Sequence, residues 1–159
     1  MADDGVGQHF KAPAAVMLLL FREHQGCRQV LLQHRHNVAV LNDLWDTAAT
    51  GHVERGESLR EALAREALEE LGLVIRPEDL RFSSLGHILV RPGFTYYNIY
   101  FEAQQYQNEP FIAEPGKCDA IGWFDVGKLP SDIIPERARA IRDHFSGCRY
   151  HEAGFETRP

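Results

Sequence analysis

Hydrophobic residues along this chain occur in short runs that polar and glycine-containing turns separate. Apolar runs at 16–21 and 30–33 flank the turn-like sequence HQGCR, and this pattern predicts two paired strands. The turn RPG separates two longer runs of strand character. Further strands are predicted at 45–50, 80–90, 95–103 and 121–124. The chain is therefore rich in strand segments of ordinary length.

Two segments have helical character. Residues 58–71 are rich in Ala, Leu, Arg and Glu, and Gly72 is the expected stop. Residues 135–145 begin with a proline, which suits the first turn of a helix. Strands flanked by helices on either side favour a layered α/β sandwich. We expect one domain over 1–159, with its core at about 12–147 and loose ends.

The helix predicted at 58–71 places acidic side chains where the core should be. On a wheel of ~100° per residue, Glu66 lies within ~20° of Leu59. Glu70 lies within ~20° of Leu63 on the same wheel. Two carboxylates therefore share the stripe of the leucines that should face inward.

Glu69 lies at the rim of that stripe, whereas Glu61 and Arg65 point away from it toward solvent. An inward carboxylate costs on the order of several kcal/mol unless it takes up a proton, pairs or binds a metal. Three glutamates within about one turn offer hard oxygen ligands suited to Mg2+ or Mn2+. The alternative is a solvated helix face with i,i+4 ion pairs. The inward glutamates and the glycines of the preceding loop argue against that alternative.

The stretch from Gly51 to Leu73 reads GHVERGESLREALAREALEELGL, and it resembles the box of the Nudix hydrolases. That box is written G-x5-E-x7-R-E-U-x-E-E-x-G-U, where U is a bulky aliphatic residue. Its fixed positions are occupied here by Gly51, Glu57, Arg65, Glu66, Glu69, Glu70, Gly72 and Leu73. The one departure is Ala67 in the first aliphatic position, which concerns helix packing. A match of this length is far more specific than a short glycine motif.

The resemblance implies the Nudix fold, an α/β/α sandwich with a central mixed β-sheet. It also implies a Mg2+-dependent (or Mn2+-dependent) pyrophosphohydrolase that cleaves a nucleoside diphosphate linked to another group. The favoured substrate is a (deoxy)nucleoside triphosphate, which is converted to monophosphate and pyrophosphate. An ADP-ribose or nucleotide-sugar hydrolase is one alternative, and a nucleotide-binding module without catalysis is another. Every box glutamate is retained, which favours catalysis.

The resemblance also implies roles for the box residues. Glu66 and Glu70 are the expected metal ligands, and Glu69 is a ligand or the base on the attacking water. A backbone carbonyl at Thr50 or Gly51 is expected to complete the metal site.

Other residues are expected to support catalysis from the loops. Glu57 and Arg65 resemble a pair that fixes the entry loop against the helix and orients the ligands. Glu114 lies outside the box, and some Nudix proteins recruit such a loop glutamate as a base or an extra ligand. An exposed loop charge is the equally plausible interpretation of Glu114.

Three residues are candidates for binding the substrate. Arg35 ends a predicted strand, where many Nudix proteins carry an arginine near the substrate phosphates; a solvated strand end is the alternative. Tyr96 and Asn98 share one face of their strand and could wall a base pocket, in which Asn98 supplies hydrogen bonds. Aromatic residues at strand spacing are more often part of the core.

Composition narrows the range of partners. The 159 residues are 44% hydrophobic and 25% charged, as in ordinary globular proteins, and the formal net charge is −6. A negative chain is a poor partner for DNA or RNA. A small phosphorylated substrate remains compatible, because a bound cation reverses the local sign of the potential.

The remaining sequence features concern the cellular setting. Cys27, Cys118 and Cys148 are an odd number without a CxxC pair, which favours free thiols in a reducing cytoplasm. The apolar run at 14–21 is too short to cross a bilayer, so no membrane association is expected. A homodimer is left open.

Overall fold

Residues 9–156, which the computed structural model describes, contain nine β-strands and two α-helices. The strands are β1 (Ala14–Leu19), β2 (Phe21–His24), β3 (Cys27–Arg35), β4 (Trp45–Thr47), β5 (Thr50–His52), β6 (Leu80–Arg91), β7 (Phe94–Ala103), β8 (Cys118–Asp125) and β9 (Tyr150–Ala153). The helices are α1 (Leu59–Leu71) and α2 (Pro135–Ser146).

The strands form two sheets. The first has five strands in the order β5-β1-β7-β6-β9 and is mixed, because β1 pairs with β7 and β6 pairs with β9 in parallel. The second sheet is antiparallel and is built around β3, which pairs with β2, β4 and β8. Since β8 runs along β3 from Gln29 to Arg35, β2 and β4 share the opposite edge of β3.

Helices cover both sides of the strands, and β1 shows this most clearly. Val16 and Leu18 pack into a core that includes the buried residues of α1, whereas Met17 and Leu19 pack into a second core that includes those of α2. Successive side chains of a strand point to opposite faces, so β1 is buried on both. This arrangement confirms the predicted α/β/α sandwich with a central mixed sheet.

The strand predicted at 16–21 is interrupted at Leu20, and its two parts belong to different sheets. Of these two parts, only β2 pairs with β3. The two strands are joined by a turn in which Gln25 and Gly26 both have positive φ, the geometry of a tight hairpin. The predicted pairing of 16–19 with 30–33 was therefore wrong, because β1 pairs with β5 and β7 instead.

The strand predicted at 45–50 is also two strands, β4 and β5, in different sheets. Ala48 and Ala49 make the crossing between them and are completely buried. Both bond to the backbone of Leu18, over 3.2 Å and 2.8 Å. The crossing delivers β5 to the edge of the five-stranded sheet, facing α1.

Helix α1 begins one residue after the predicted start and ends where predicted. Ser58 caps its N-terminus in a capping box with Glu61, and Gly72 ends it in the left-handed region at φ 66°. Leu59 was expected in the core but is 37% exposed, because it lies in the first turn, at the outer end of the helix.

Regular structure extends beyond the expected core. A loose end is predicted after residue 147, yet β9 forms the edge of the first sheet, where it pairs with Leu85–Ile88 of β6. The single-domain organisation stays a prediction. Neither α1 nor α2 is long and apolar enough to cross a membrane.

A buried ionic network ties β3, β4 and α2 together. Asp46 is fully buried and accepts hydrogen bonds from Arg137 Nε at 2.6 Å, Arg35 Nη1 at 3.0 Å and Thr47 N at 2.8 Å. Arg137 also donates to the Tyr100 hydroxyl at 3.3 Å. A buried carboxylate with this many donors is well compensated, which fixes the end of β3 relative to α2.

Candidate active site

Gly51 allows α1 to lie directly against β5. A Cβ atom at this position would lie 2.0 Å from Glu66 Cδ and 2.1 Å from Glu66 Oε1. Contacts this short do not occur between real atoms, so any larger residue would displace the carboxylate. Glu66 is consequently held beneath the strand, with 15% of its side chain exposed.

Glu70 is the most deeply buried carboxylate of the box. Its Oε2 accepts hydrogen bonds from the backbone N–H of Thr50 at 2.9 Å and from Gln33 Nε2 at 3.1 Å. Burial raises the pKa of Glu70 to about 8, although both hydrogen bonds lower it. Glu70 therefore holds its proton to a higher pH than an exposed glutamate does.

Negative charge is concentrated around Glu66. Burial raises its pKa, the hydrogen bond and charge of Arg65 lower it, and the nearby charges of Glu69 and Glu114 raise it again. Glu66 also raises the pKa of Glu70. Carboxylates this close repel one another, and a cation among them would relieve that repulsion.

Arg65 joins the helix to its entry loop. Its Nε and Nη2 donate to the two oxygens of Glu57 at 2.7 Å and 3.0 Å, and Nη2 also donates to the carbonyl of His52 at 3.2 Å. Hydrogen bonds from Arg65 and the backbone of Glu54 lower the pKa of Glu57. The wheel placed Arg65 in solvent, which was wrong, because its long side chain reaches back to the loop.

The same guanidinium contacts two more box glutamates. Arg65 Nη1 donates to Glu66 Oε1 at 2.8 Å and to Glu69 Oε2 at 3.3 Å. The side chain of Glu69 is 50% exposed, far more than that of Glu66. Glu69 is therefore the box carboxylate with the freest access to water.

The donor set suits a hard divalent cation. Glu66 and Glu70 supply desolvated carboxylate oxygens, the ligands that Mg2+ and Mn2+ prefer. Within residues 9–156, no three His, Cys, Asp or Glu side chains are already arranged to hold a metal ion. Arg65 occupies Glu66 Oε1, so a cation at that oxygen has to compete with the guanidinium.

The loop between β7 and β8 docks on the end of α1. Phe111 N donates to the Leu71 carbonyl at 3.1 Å, and Ala113 N donates to the Glu70 carbonyl at 3.0 Å. The last carbonyls of a helix have no partner within the helix, so these bonds satisfy them. They also fix Glu114, the next residue, close to the box.

Glu114 lies near Glu66 without contacting it. Its charge raises the pKa of Glu66, and its own carboxylate pairs with Lys117 Nζ at 3.2 Å. The structure thus brings Glu114 to the box glutamates, in a loop position that sequence spacing alone did not fix.

The candidate nucleoside residues lie on β7. Tyr96 shares a hydrogen bond with His52 Nε2, which places it beside the entry loop of the box. Asn98 is 7% exposed and is in register with Ala15, which is in turn in register with His52. Both residues are on the α2 side of the sheet. Gly51, in the edge strand β5, instead faces α1 on the opposite side.

Arg35 has extensive contacts within the chain. Besides Asp46, its guanidinium donates to the carbonyls of Leu41 at 3.1 Å and Val40 at 3.0 Å. These bonds hold the loop at 36–44, in which Leu41 has a positive φ of 55°. A structural role for Arg35 is thus visible, and its contact with substrate phosphates stays a prediction.

Comparison with known proteins decides the family. A model of the NUDIX domain matches residues 11–145, most of the chain. The chain belongs to the NUDIX family. It is a hydrolase that acts on pyrophosphate bonds.

Relatives of this Nudix hydrolase agree in sequence and in structure. A Bacillus subtilis (strain 168) protein with the provisional name 8-oxo-dGTP diphosphatase is 30% identical over 122 residues, which are 77% of this chain and 74% of that protein. The crystal structure of a MutT NUDIX hydrolase from Burkholderia pseudomallei superposes with a TM-score of 0.71 at 22% identity, covering 83% of this chain and 97% of that one.

A third relative carries a ligand. The NUDIX domain of Shewanella oneidensis NrtR, solved with ADP-ribose, superposes with a TM-score of 0.72 at 16% identity, covering 92% of this chain and 94% of that one. At this identity the likeness shows the fold alone.

The departure at Ala67 from the Nudix box falls at a packing position. Ala67 is completely buried in the same core as Ala48 and Ala49, the residues of the strand crossing. The change lies in the core and leaves the glutamates of the box unaltered.

Two residues that contact the site were not identified from the sequence. Gln33 bonds Glu70, and His52 links Arg65 to Tyr96. The one sequence feature that could have pointed to Gln33 was its polar amide directly after the apolar run VLL. For His52 it was only the position next to Gly51.

The burial of Glu70 predicts a pH effect on stability. Its pKa of about 8 exceeds the ordinary value of 4.5, so the folded protein binds this proton more tightly than the unfolded chain does. The resulting stabilisation is complete below the lower value and is lost as pH rises through the higher one. We expect the melting temperature of chelator-treated protein, relative to Glu70→Gln, to fall by on the order of 5 °C between pH about 5 and about 8.

The exposed Glu78 provides the control for this experiment. Glu78→Gln should leave the pH profile of the melting temperature unchanged, since Glu78 has most of its side chain in solvent. Parallel profiles for the wild-type protein and Glu70→Gln would contradict the assigned burial effect.

Proposed function

We propose that this Nudix hydrolase is a Mg2+-dependent enzyme that converts a (deoxy)nucleoside triphosphate to the monophosphate and pyrophosphate, with Mn2+ as the alternative ion. The observation that carries the proposal is the burial of Glu66 and Glu70 together beneath β5. Two desolvated carboxylates that repel each other favour a cation between themselves and a polyphosphate.

The reaction breaks one phosphorus–oxygen bond of the phosphate chain. Water adds to a phosphorus, the bridging oxygen leaves with pyrophosphate, and the proton of the water passes to a base. When bound, the divalent ion neutralises phosphate oxygens and helps to orient the water. Glu66 and Glu70 would hold that ion, and a carbonyl of Thr50 or Gly51 would add a further ligand.

Two carboxylates are candidates for the base. Glu69 belongs to the box and is half exposed, so it can reach the water that attacks. Glu114 lies close enough to influence Glu66 but is held by Lys117. Glu57 and Arg65 act indirectly, through the metal ligands that they help to orient. Their paired hydrogen bonds fix the entry loop relative to α1.

The nucleoside would bind on the other side of the edge strand. Asn98 is 7% exposed and lies on the same face of β7 as Tyr96. Its side-chain amide can both donate and accept hydrogen bonds, which suits it to reading a base edge. Tyr96 and His52 would form the adjacent wall, and Arg35 would lie toward the phosphates. Within residues 9–156 no strand pairs with the outer edge of β5, so a ligand could pass around it.

The relative from Bacillus subtilis supports a nucleoside triphosphate as the substrate class, since its name describes a dGTP derivative. An ADP-ribose or nucleotide-sugar substrate is the alternative. The negative net charge supports a small nucleotide rather than a nucleic-acid polymer. We place the enzyme in the cytoplasm, because Cys27, Cys118 and Cys148 are all free thiols.

The substrate class is testable with a panel. With Mg2+ and with Mn2+, we expect nucleoside triphosphates to yield monophosphate and pyrophosphate at higher kcat/KM than ADP-ribose or nucleotide sugars. Products would be resolved by ion-exchange chromatography. Release of inorganic phosphate from a triphosphate, or a preference for ADP-ribose, would contradict the proposed cleavage.

Removal of one ligand charge should abolish most of the activity. Glu70→Gln keeps the size of the side chain but loses the carboxylate, so we expect kcat to fall by on the order of 10³-fold at saturating Mg2+. Glu61→Gln is the matched control on the same helix, because glutamine also completes a capping box. Near-normal turnover by Glu70→Gln would exclude it as a principal ligand.

The role of Glu114 can be separated from metal binding. If it is the base, Glu114→Gln should lower kcat by roughly 10²-fold or more while the Mg2+ concentration for half-maximal rate stays unchanged. Glu109→Gln, an exposed glutamate in the same loop, serves as the control. An unaltered kcat would remove Glu114 from the mechanism and leave Glu69 as the base.

A further inference from the structure

Gln33 is a buried polar residue outside the Nudix box. It lies on β3 and is only 6% exposed, directly after the fully buried Leu32. A buried side-chain amide is costly unless it is hydrogen-bonded. The bond from its Nε2 to Glu70 Oε2, at 3.1 Å, provides that compensation. The contact joins a strand of the second sheet to the helix that carries the candidate metal ligands.

The two donors to Glu70 come from different sheets. Thr50 N belongs to β5 at the edge of the first sheet, and Gln33 Nε2 belongs to β3 at the centre of the second. Both reach the same oxygen, Oε2, and a carboxylate oxygen has two lone pairs to offer. With Oε2 fully used, Glu70 Oε1 is the oxygen that remains to bind a cation. A single donor would leave the carboxyl group free to rotate about its last bond.

We propose that Gln33 is a positioning residue that fixes the carboxylate of Glu70 and thereby presents Oε1 to the divalent ion. This inference rests on the proposed function, since it assumes that Glu70 is a ligand. Groups that hold a metal ligand in place from outside the coordination sphere typically change metal affinity or activity by 10- to 100-fold on mutation. Gln33 therefore extends the functional site to a strand that the box does not include.

The chain offers a matched control on the same strand. Gln29 lies four residues earlier on β3, so its side chain points to the same face. It makes the same kind of bond, because its Nε2 donates to Asp125 Oδ1 at 3.0 Å. Its partner Asp125 lies on β8 and is not a box residue. Gln29→Met thus removes an amide–carboxylate bond away from the site, together with the bond that Gln29 Oε1 accepts from Arg22 Nε at 2.9 Å.

The test is Mn2+ binding, which is measured from the electron paramagnetic resonance signal of the free ion. We expect wild-type protein and Gln29→Met to bind Mn2+ with equal affinity. Gln33→Met preserves the volume but removes the donor, so its dissociation constant should rise by roughly 10-fold or more. In kinetics, the Mg2+ concentration for half-maximal rate should rise by a similar factor, while the substrate KM at saturating Mg2+ stays unchanged.

Each outcome separates the two proposals. If the wild-type protein binds no Mn2+, the proposed function and this inference both fail. If wild-type protein binds Mn2+ and Gln33→Met binds it within about twofold, only the role of Gln33 is overturned. Equal weakening in Gln29→Met and Gln33→Met would also overturn it, because strand packing would explain both. If Gln33→Met does not fold, as shown by the absence of a cooperative unfolding transition, Gln33→Asn takes its place. Its amide is one methylene too short to reach Glu70, so the same loss of Mn2+ affinity is expected.

Discussion

The partial removal of Glu66 and Glu70 from water is the constraint on which the rest of this site depends. Both carboxylates belong to the helix face that contacts the sheet, and burial raises the pKa of each. Such groups destabilise a fold unless donors or cations compensate them. The hydrogen bonds around Glu70 and the guanidinium beside Glu66 provide part of this compensation. The deficit that remains is what makes the site receptive to a divalent ion.

Several distant parts of the chain converge on these two side chains. Gly51 supplies the space, Arg65 clamps the entry loop, and the loop before β8 brings Glu114 to the same place. The crossing of the chain at Ala48 and Ala49 makes this convergence possible, because it carries the backbone from the second sheet to the edge of the first. The site is therefore located where the two sheets and α1 meet.

Sequence periodicity was sufficient for features that depend on neighbouring residues. The inward direction of Glu66 and Glu70 followed from the helical repeat, and the end of α1 followed from Gly72. It was insufficient where the partner is distant in the chain. An apolar run does not state which sheet it joins, so the break at Leu20 was missed.

Side-chain reach was the second limit. A helical wheel records the direction of Arg65 at its Cα atom, but the guanidinium contacts Glu57, eight residues earlier, at the far end of a long side chain. The hydrogen bond from Gln33 to Glu70 spans two separate elements in the same way. Contacts of this kind depend on the packing of sheets and helices, which helical periodicity does not encode. The Glu57–Arg65 pair was expected from the family resemblance instead, and the Gln33 contact was not expected at all.

Strand β9 has a consequence for how the molecule avoids self-association. Tyr150–Ala153 cover one side of β6, whose backbone would otherwise present unpaired N–H and carbonyl groups at the margin of the sheet. Exposed margins of this kind recruit strands from other molecules. A chain shortened to Gly147 would keep every Nudix box residue and the residues matched by the family model, yet it would open β6 to intermolecular pairing. The four residues of β9 thus replace part of the longer edge of β6 with a short one.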